Sequence, residues 1–383
     1  MSTLRGVCGC GTILALVLSG PAPAPCQAAG YTIKDLGTLS TGTWSEAQGI
    51  NNSSQVVGRS WIVGAPPYHA FRYGPAMTDL GTLGGTESEA YGINDSGQVV
   101  GWSYTSAGQS HAFRTAANSP VNPATDDLGT LGGDYSHARA INSSAQVAGY
   151  SATPAGDTHA FRTAANSAVN PATDDLSALT GTESHAYGIN DSSQVVGTFR
   201  TSGDDLHAFR TAPGSPINPP TDDLGTLGGL SSTAYTINEN GLVAGVAMTS
   251  DSFSHAFLCI GATMKDLGTL GGTDSSANDI NNSSQVVGWA STVDSPSNAF
   301  LWQNDVMTDL NDFLTPASGW SWLKEATGIN DQGQIVGLGA RDDGKIHAFL
   351  MEGVSSLDIP EPATMLAMAC CLAAVGAYAR RRR

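Results

Sequence analysis

Between residues 30 and 359 the chain has a single cysteine, Cys259; the other five lie at Cys8, Cys10, Cys26, Cys370 and Cys371. No intramolecular disulfide and no cysteine-based zinc site can hold that region together. Basic residues are scarce too. Twelve of the 17 lysines and arginines fall in this region against 33 of the 34 acidic residues, leaving a charge of about −21. Such a surface repels phosphate backbones and anionic lipid heads, which excludes nucleic-acid binding. No useful length of sequence carries the apolar period of a helix. The catalytic signatures G-x-S-x-G, H-E-x-x-H and the Walker-type loop are all missing.

What the chain has is repetition. The stretch DLGTLGGTESEAYGINDSGQVVGWS, Asp79 to Ser103, restates Asp35 to Ser60, and further versions start at Asp127, Asp175, Asp223, Asp266 and Asp309. Units are 43 to 48 residues apart and contain four short phrases. The first is S-x-A-x-x-I-N, as at Ser88 to Asn94. The second is Q-V-V-G, at Gln55, Gln98, Gln194 and Gln285, with variants at Gln146, Leu242 and Gln334. The third is H-A-F, at His69, His111, His159, His207, His255 and His347, with Asn298 once replacing the histidine. The fourth is D-L-G-T-L.

Four short strands at this spacing are what a β-propeller blade needs, and seven units predict an all-β, seven-bladed propeller over residues 30–359. The Ala- and Gly-rich first phrase suits an innermost strand, where blades crowd the axis. Val56 and Val57 point to opposite faces, so their strand must be covered on both, as between two neighbouring blades. N-D-S-G at Asn94 to Gly97 is a tight turn, and the Asp of the fourth phrase is expected to cap the turn after it. Tyr31 to Leu39 is a copy of the fourth strand with no unit before it. It is predicted to pair with the strand carrying His347-Ala348-Phe349 and close the ring. The alternative is an open β-solenoid, which needs polar capping ends.

The two ends read differently. Residues 1–29 hold Arg5, an apolar stretch from Thr12 to Leu18 and small residues up to Ala29, the layout of a secretory signal peptide. Residues 360–383 hold Pro360-Glu361-Pro362, an apolar run from Ala363 to Ala379, and Arg380, Arg381, Arg382 and Arg383. The run reaches the lower limit, about 17 residues, for a single transmembrane helix, with the arginines on the cytoplasmic side. In order and content this end resembles the PEP-CTERM sorting signal of Gram-negative bacteria. The resemblance implies an exosortase-type processing enzyme as partner and transient anchoring in the inner membrane; a plain C-terminal anchor is the alternative. The repeated D-L-G-T-L, I-N-x-x-G-Q-V-V-G and H-A-F resemble the HAF family of extracellular repeats over residues 31–350. That resemblance implies location and repeat type but no activity. The seventh unit departs most, with Asp309-Leu310-Asn311 in place of D-L-G and no Gly-Gly.

Candidate chemistry is thin. One histidine per blade sits too far from the next for a metal ring. Asn298 keeps hydrogen-bonding capacity without basicity, so these positions read as structural hydrogen bonds. Asn94-Asp95 and Asn330-Asp331 offer one carboxylate where calcium loops use about three, and read as turns. Asp126-Asp127, Asp174-Asp175 and Asp222-Asp223 follow polar loops and read as solvated. Trp44, Trp61, Trp320 and Trp322 fall in loops of the first and seventh blades that share one face; they read as packing that seals the ring closure, with a sugar-stacking ligand platform as the alternative. The reading that follows is an exported, non-catalytic protein of the cell surface or extracellular matrix, with no cofactor and no metal. It is a binding or scaffold module in an exopolysaccharide setting, its ligand a neutral polysaccharide. An extracellular carbohydrate-active enzyme would instead need two carboxylates about 5 to 10 Å apart in a cleft. A structural spacer would show neither a concave pocket nor an exposed aromatic cluster.

Overall fold

A computed structural model describes residues 30–40, 42–62, 68–177 and 183–353; the expected signal and sorting segments lie outside the described residues. Seven antiparallel sheets form seven blades; in six of them the strands pair in chain order, and the seventh takes its outermost strand from the start of the described chain. The first blade runs Ser45–Ile50, Val56–Trp61, Tyr68–Tyr73 and Met77–Gly81. In the third and fourth blades the outermost strand shrinks to single bridges, Phe161 with Asp175 and Phe209 with Asp223. The only helical pieces among the described residues are Pro219–Asp222 and the 3-10 turn Leu310–Phe313. No helix among those residues is long and apolar enough to cross a membrane.

The ring closes as the stray N-terminal copy predicts. Tyr31–Gly37 pairs antiparallel with Ile346–Gly353, from Tyr31 opposite Gly353 to Gly37 opposite Ala348. The seventh blade is thus assembled from both ends of the propeller, and neither is left as an open edge.

Packing follows the repeat. Apolar side chains gather into seven clusters, each shared by two adjacent blades. Val56 packs in the cluster between the seventh and first blades and Val57 in the one between the first and second. Both are fully buried, so the strand is covered on both faces. Every Phe of the H-A-F phrases is fully buried as well. Burying such a ring contributes roughly 2–3 kcal/mol.

The histidines do what their Asn replacement implies. Nδ1 of each H-A-F histidine lies 2.8–3.0 Å from the aspartate that begins the fourth phrase, from His69 with Asp79 round to His347 with Asp35. Asn298 substitutes by donating to Asp309 at 2.6 Å. The same aspartates accept the amide two residues on, as Gly37 N–H does to Asp35 at 2.8 Å, which caps the turn. Burial alone would raise Asp35, but hydrogen bonds from His347 and the Gly37 amide and the charges of His347 and Arg341 hold it below the usual carboxylate range.

One expectation fails. Asp126, Asp174 and Asp222 are buried, not solvated. Each carboxylate closes a local turn: Asp126 accepts from Asn122 N–H at 2.8 Å and from the Thr125 hydroxyl at 2.9 Å, and the other two repeat the pattern. Those loops are folded down by Val121, Val169 and Ile217, which pack onto the clusters between blades.

Candidate binding site on the propeller axis

All seven innermost strands carry an irregularity at the same place. In the first blade Ala47 pairs with Gly58 and Gly49 with Val57, so Gln48 has no partner across the ladder. The shift recurs around Tyr91, Arg139, Tyr187, Tyr235, Asn278 and Thr327. A bulge of this kind re-aims the extra side chain. Here it turns all seven into a cavity of about 430 Å³ on the axis. The glycine of Q-V-V-G permits it. A Cβ on Gly197 would lie 1.9 Å from the carbonyl oxygen of His185, and the equivalent glycines are equally confined.

Below the bulged layer the isoleucines of I-N ring the axis, with a second cavity of about 390 Å³ beyond them. There the seven buried asparagines form a closed circuit. Each side-chain amide donates to the backbone carbonyl of the next blade's asparagine at 3.0–3.2 Å, from Asn51 to Asn94 and on to Asn330, which returns to Asn51. Each bond adds about 1 kcal/mol and pins one blade to the next. The asparagine side-chain oxygen also accepts from the backbone four residues on, as Gln98 N–H does at 3.0 Å. The conserved look of I-N within the chain is therefore a matter of ring assembly.

The upper cavity is not seven-fold. On one side the Arg139 guanidinium lies 3.7 Å from the Tyr91 ring centre and 5.5 Å from that of Tyr187. Tyr235 meets Tyr187 at 5.5 Å between ring centres. Burial pushes the Tyr187 phenol up to about 12, so it stays a hydroxyl donor. Behind this wall Trp102 stacks on His137 at 5.1 Å, and burial, helped by the Arg139 charge, pulls His137 down to about 4, leaving a neutral ring.

The opposite side is lined by acceptors already held in place. Glu325 accepts from Asn278 at 2.8 Å, and Glu46 accepts from Gln48 at 2.9 Å and from Arg59. Asp279 takes three bonds of 2.9 Å, from the Thr236 hydroxyl and the amides of Ile280 and Ile329. Burial nonetheless pushes it up to about 6. Aromatic faces, hydroxyl donors, one cation and fixed acceptors thus line the same cavity, a mixture able to cover an apolar ring face and to hydrogen-bond polar groups.

The four tryptophans do not assemble into one platform. Trp44 and Trp61 come together, half-buried, with ring centres 5.7 Å apart and the Arg59 guanidinium 5.1 Å from Trp44. Trp320 is only 4% exposed and packs edge-on against Phe349, so it belongs to the core between the sixth and seventh blades. Trp322 turns toward the sixth blade, where its indole N–H donates to Asn298 at 2.9 Å. The lengthened loop before this strand serves packing, because the seventh blade lacks the serine that ties the others. In those blades the Ser of S-x-A accepts from the preceding blade's H-A-F backbone, as Ser88 does from Ala70 N–H at 2.9 Å.

The axial residues escaped the sequence reading. Their signal was the residue after Ala in S-x-A-x-x-I-N, which runs Gln, Tyr, Arg, Tyr, Tyr, Asn, Thr while the Ala before it is the same in all seven units and the residue after it is Gly in four.

A family described as "Protein of unknown function (DUF3466)" matches residues 231–347, within the fifth to seventh blades. No curated protein sequence matches. Among solved structures the chain is similar to the BP39L lectin from Burkholderia pseudomallei, with 10% identity over 84% of this chain and 96% of that one and a TM-score of 0.44. It is also similar to the acylaminoacyl peptidase of Pyrococcus horikoshii, with 10% identity over 82% and 53% of the two chains and a TM-score of 0.48. The Aleuria aurantia lectin, solved with α-methyl-L-fucoside, follows at 9% identity over 71% and 95%, with a TM-score of 0.36.

Proposed function

We propose that this chain is an exported, non-catalytic binding module that holds a glycan in its axial cavity, in an exopolysaccharide setting at the cell surface or in the matrix. The observation that carries the reading is the ring of seven bulges, which spends the most variable position of the inner strand on one shared cavity and puts three tyrosines there. Tyrosine rings cover sugar C–H faces, and fixed amides and carboxylates select hydroxyl patterns. The acidic exterior favours a largely neutral polymer. The non-catalytic part of the reading rests on Asp279. Its raised pKa would suit an acid catalyst, yet its oxygens are already engaged by two backbone amides and a hydroxyl that tie three blades together.

Export rests on the sequence of residues 1–29 and 360–383, with an exosortase-type enzyme acting at Pro360-Glu361-Pro362. Changing these three residues to alanine should leave the tail uncleaved and the protein in the inner membrane; normal size and normal destination would refute the sorting role. For the binding role, a glycan-array screen of the full chain should give hits that a Tyr187→Ala, Tyr235→Ala variant loses. An empty array would remove the glycan reading, as would hits that the variant retains.

A further inference from the structure

The described residues include eight arginines, and seven of them have hydrogen-bond partners. Arg59, Arg200 and Arg341 pair with carboxylates. Arg72, Arg114, Arg162 and Arg210 donate to backbone carbonyls of neighbouring loops. Arg139 alone among them has no hydrogen bond and no carboxylate within ion-pair distance. It is also the only one aimed into the axial cavity, where its guanidinium is held by aromatic faces, Tyr91 at 3.7 Å and Tyr187 at 5.5 Å. A chain with nearly three times as many acidic as basic residues in this region has left its axial cation unpaired.

We infer that the axial cavity takes a sugar bearing a single carboxylate, a hexuronic acid at the end of an otherwise uncharged glycan, with Arg139 receiving the carboxylate. The inference rests on the glycan reading above and names the class of sugar. Stacking on two rings leaves the edge of a guanidinium free, and that edge presents parallel N–H groups matched to a carboxylate. The hydroxyls of the same sugar meet the opposite wall, where Glu46 is an acceptor held within its blade and Asp279 and Glu325 are acceptors held by bonds from neighbouring blades. A polyanion is disfavoured, because the exterior field of about −21 charges opposes each added negative group beyond the one Arg139 neutralises. A phosphorylated or sulfated sugar meets the same field without the planar two-oxygen match.

The test uses two ligands that share a pyranose ring, methyl glucuronide and methyl glucoside, titrated calorimetrically into the full chain. Glucuronide should bind at least about tenfold more tightly, the scale of one charge-assisted hydrogen-bonded contact. That preference should shrink as salt rises from about 0.05 M to about 0.5 M. Arg139→Gln should bring the two ligands to parity, and Arg139→Lys should restore part of the preference, with melting temperature confirming the fold of each. The wild-type comparison stands even if both variants fail to fold. Glucuronide that fails to bind, or binds no better than glucoside, overturns this inference. The glycan reading is decided separately, by the array and its tyrosine variant.

Discussion

Deleting residues 31–37 should lower the melting temperature by roughly 10 °C or more, or leave the chain aggregated. That strand supplies the outermost ladder of the seventh blade and buries Leu36 in the cluster between the seventh and first blades. It also brings Asp35, which accepts from His347 and Arg341, and without it both side chains lose that partner. Losing one buried Leu, the packing of Tyr31 and Ile33, and a row of backbone hydrogen bonds adds up to several kcal/mol. The exposed edge of Ile346–Gly353 would then be open to pairing with other chains. A differential scanning measurement with a light-scattering channel reads both effects. An unchanged transition without scattering would mean that the ring does not depend on this closure.

The second large effect concerns a single methyl group. Gly197→Ala should destabilise the protein by about 3 kcal/mol, because the new Cβ would sit 1.9 Å from the His185 carbonyl oxygen and 2.9 Å from the Phe209 ring. Both neighbours are fixed, one as backbone and one as a fully buried core ring. Gly74→Ala is the control, since nothing lies within 4 Å of its Cβ position. It should change stability by less than about 0.5 kcal/mol. Chemical denaturation of the two variants separates the cases, and equal stability would show that close strand approach at the bulge is not required.

The blade count, the two-sided burial of Val56 and Val57 and the pairing of Tyr31–Gly37 with Ile346–Gly353 were all legible in the sequence. Each follows from strand periodicity or from counting repeated phrases. The structural role of the H-A-F histidines was legible from one substitution, Asn298, because only a hydrogen bond survives that exchange. The bulges were not legible. A one-residue shift opposite a glycine leaves no hydrophobic trace, so Gln48 and Tyr91 read as ordinary strand positions. The asparagine circuit was hidden for another reason: a local turn already accounted for each asparagine, and its second bond goes to the next blade. Asp126 and its equivalents looked solvated because their loops are polar by composition, yet one apolar residue, such as Val121, folds each loop onto the core. Trp320 stood open between packing and platform, because the sequence of a lengthened loop does not show that Phe349 lies against it.

The claim that matters most is that ligand enters along the axis and not at the rim. A crystal structure of the full chain soaked with the best-binding glycan tests it in one measurement. Sugar density in the axial cavity against Tyr187 and Tyr235, with a polar group against Arg139, is the expected result. Density beside Trp44 and Trp61, with the axial cavity holding only water, would contradict it.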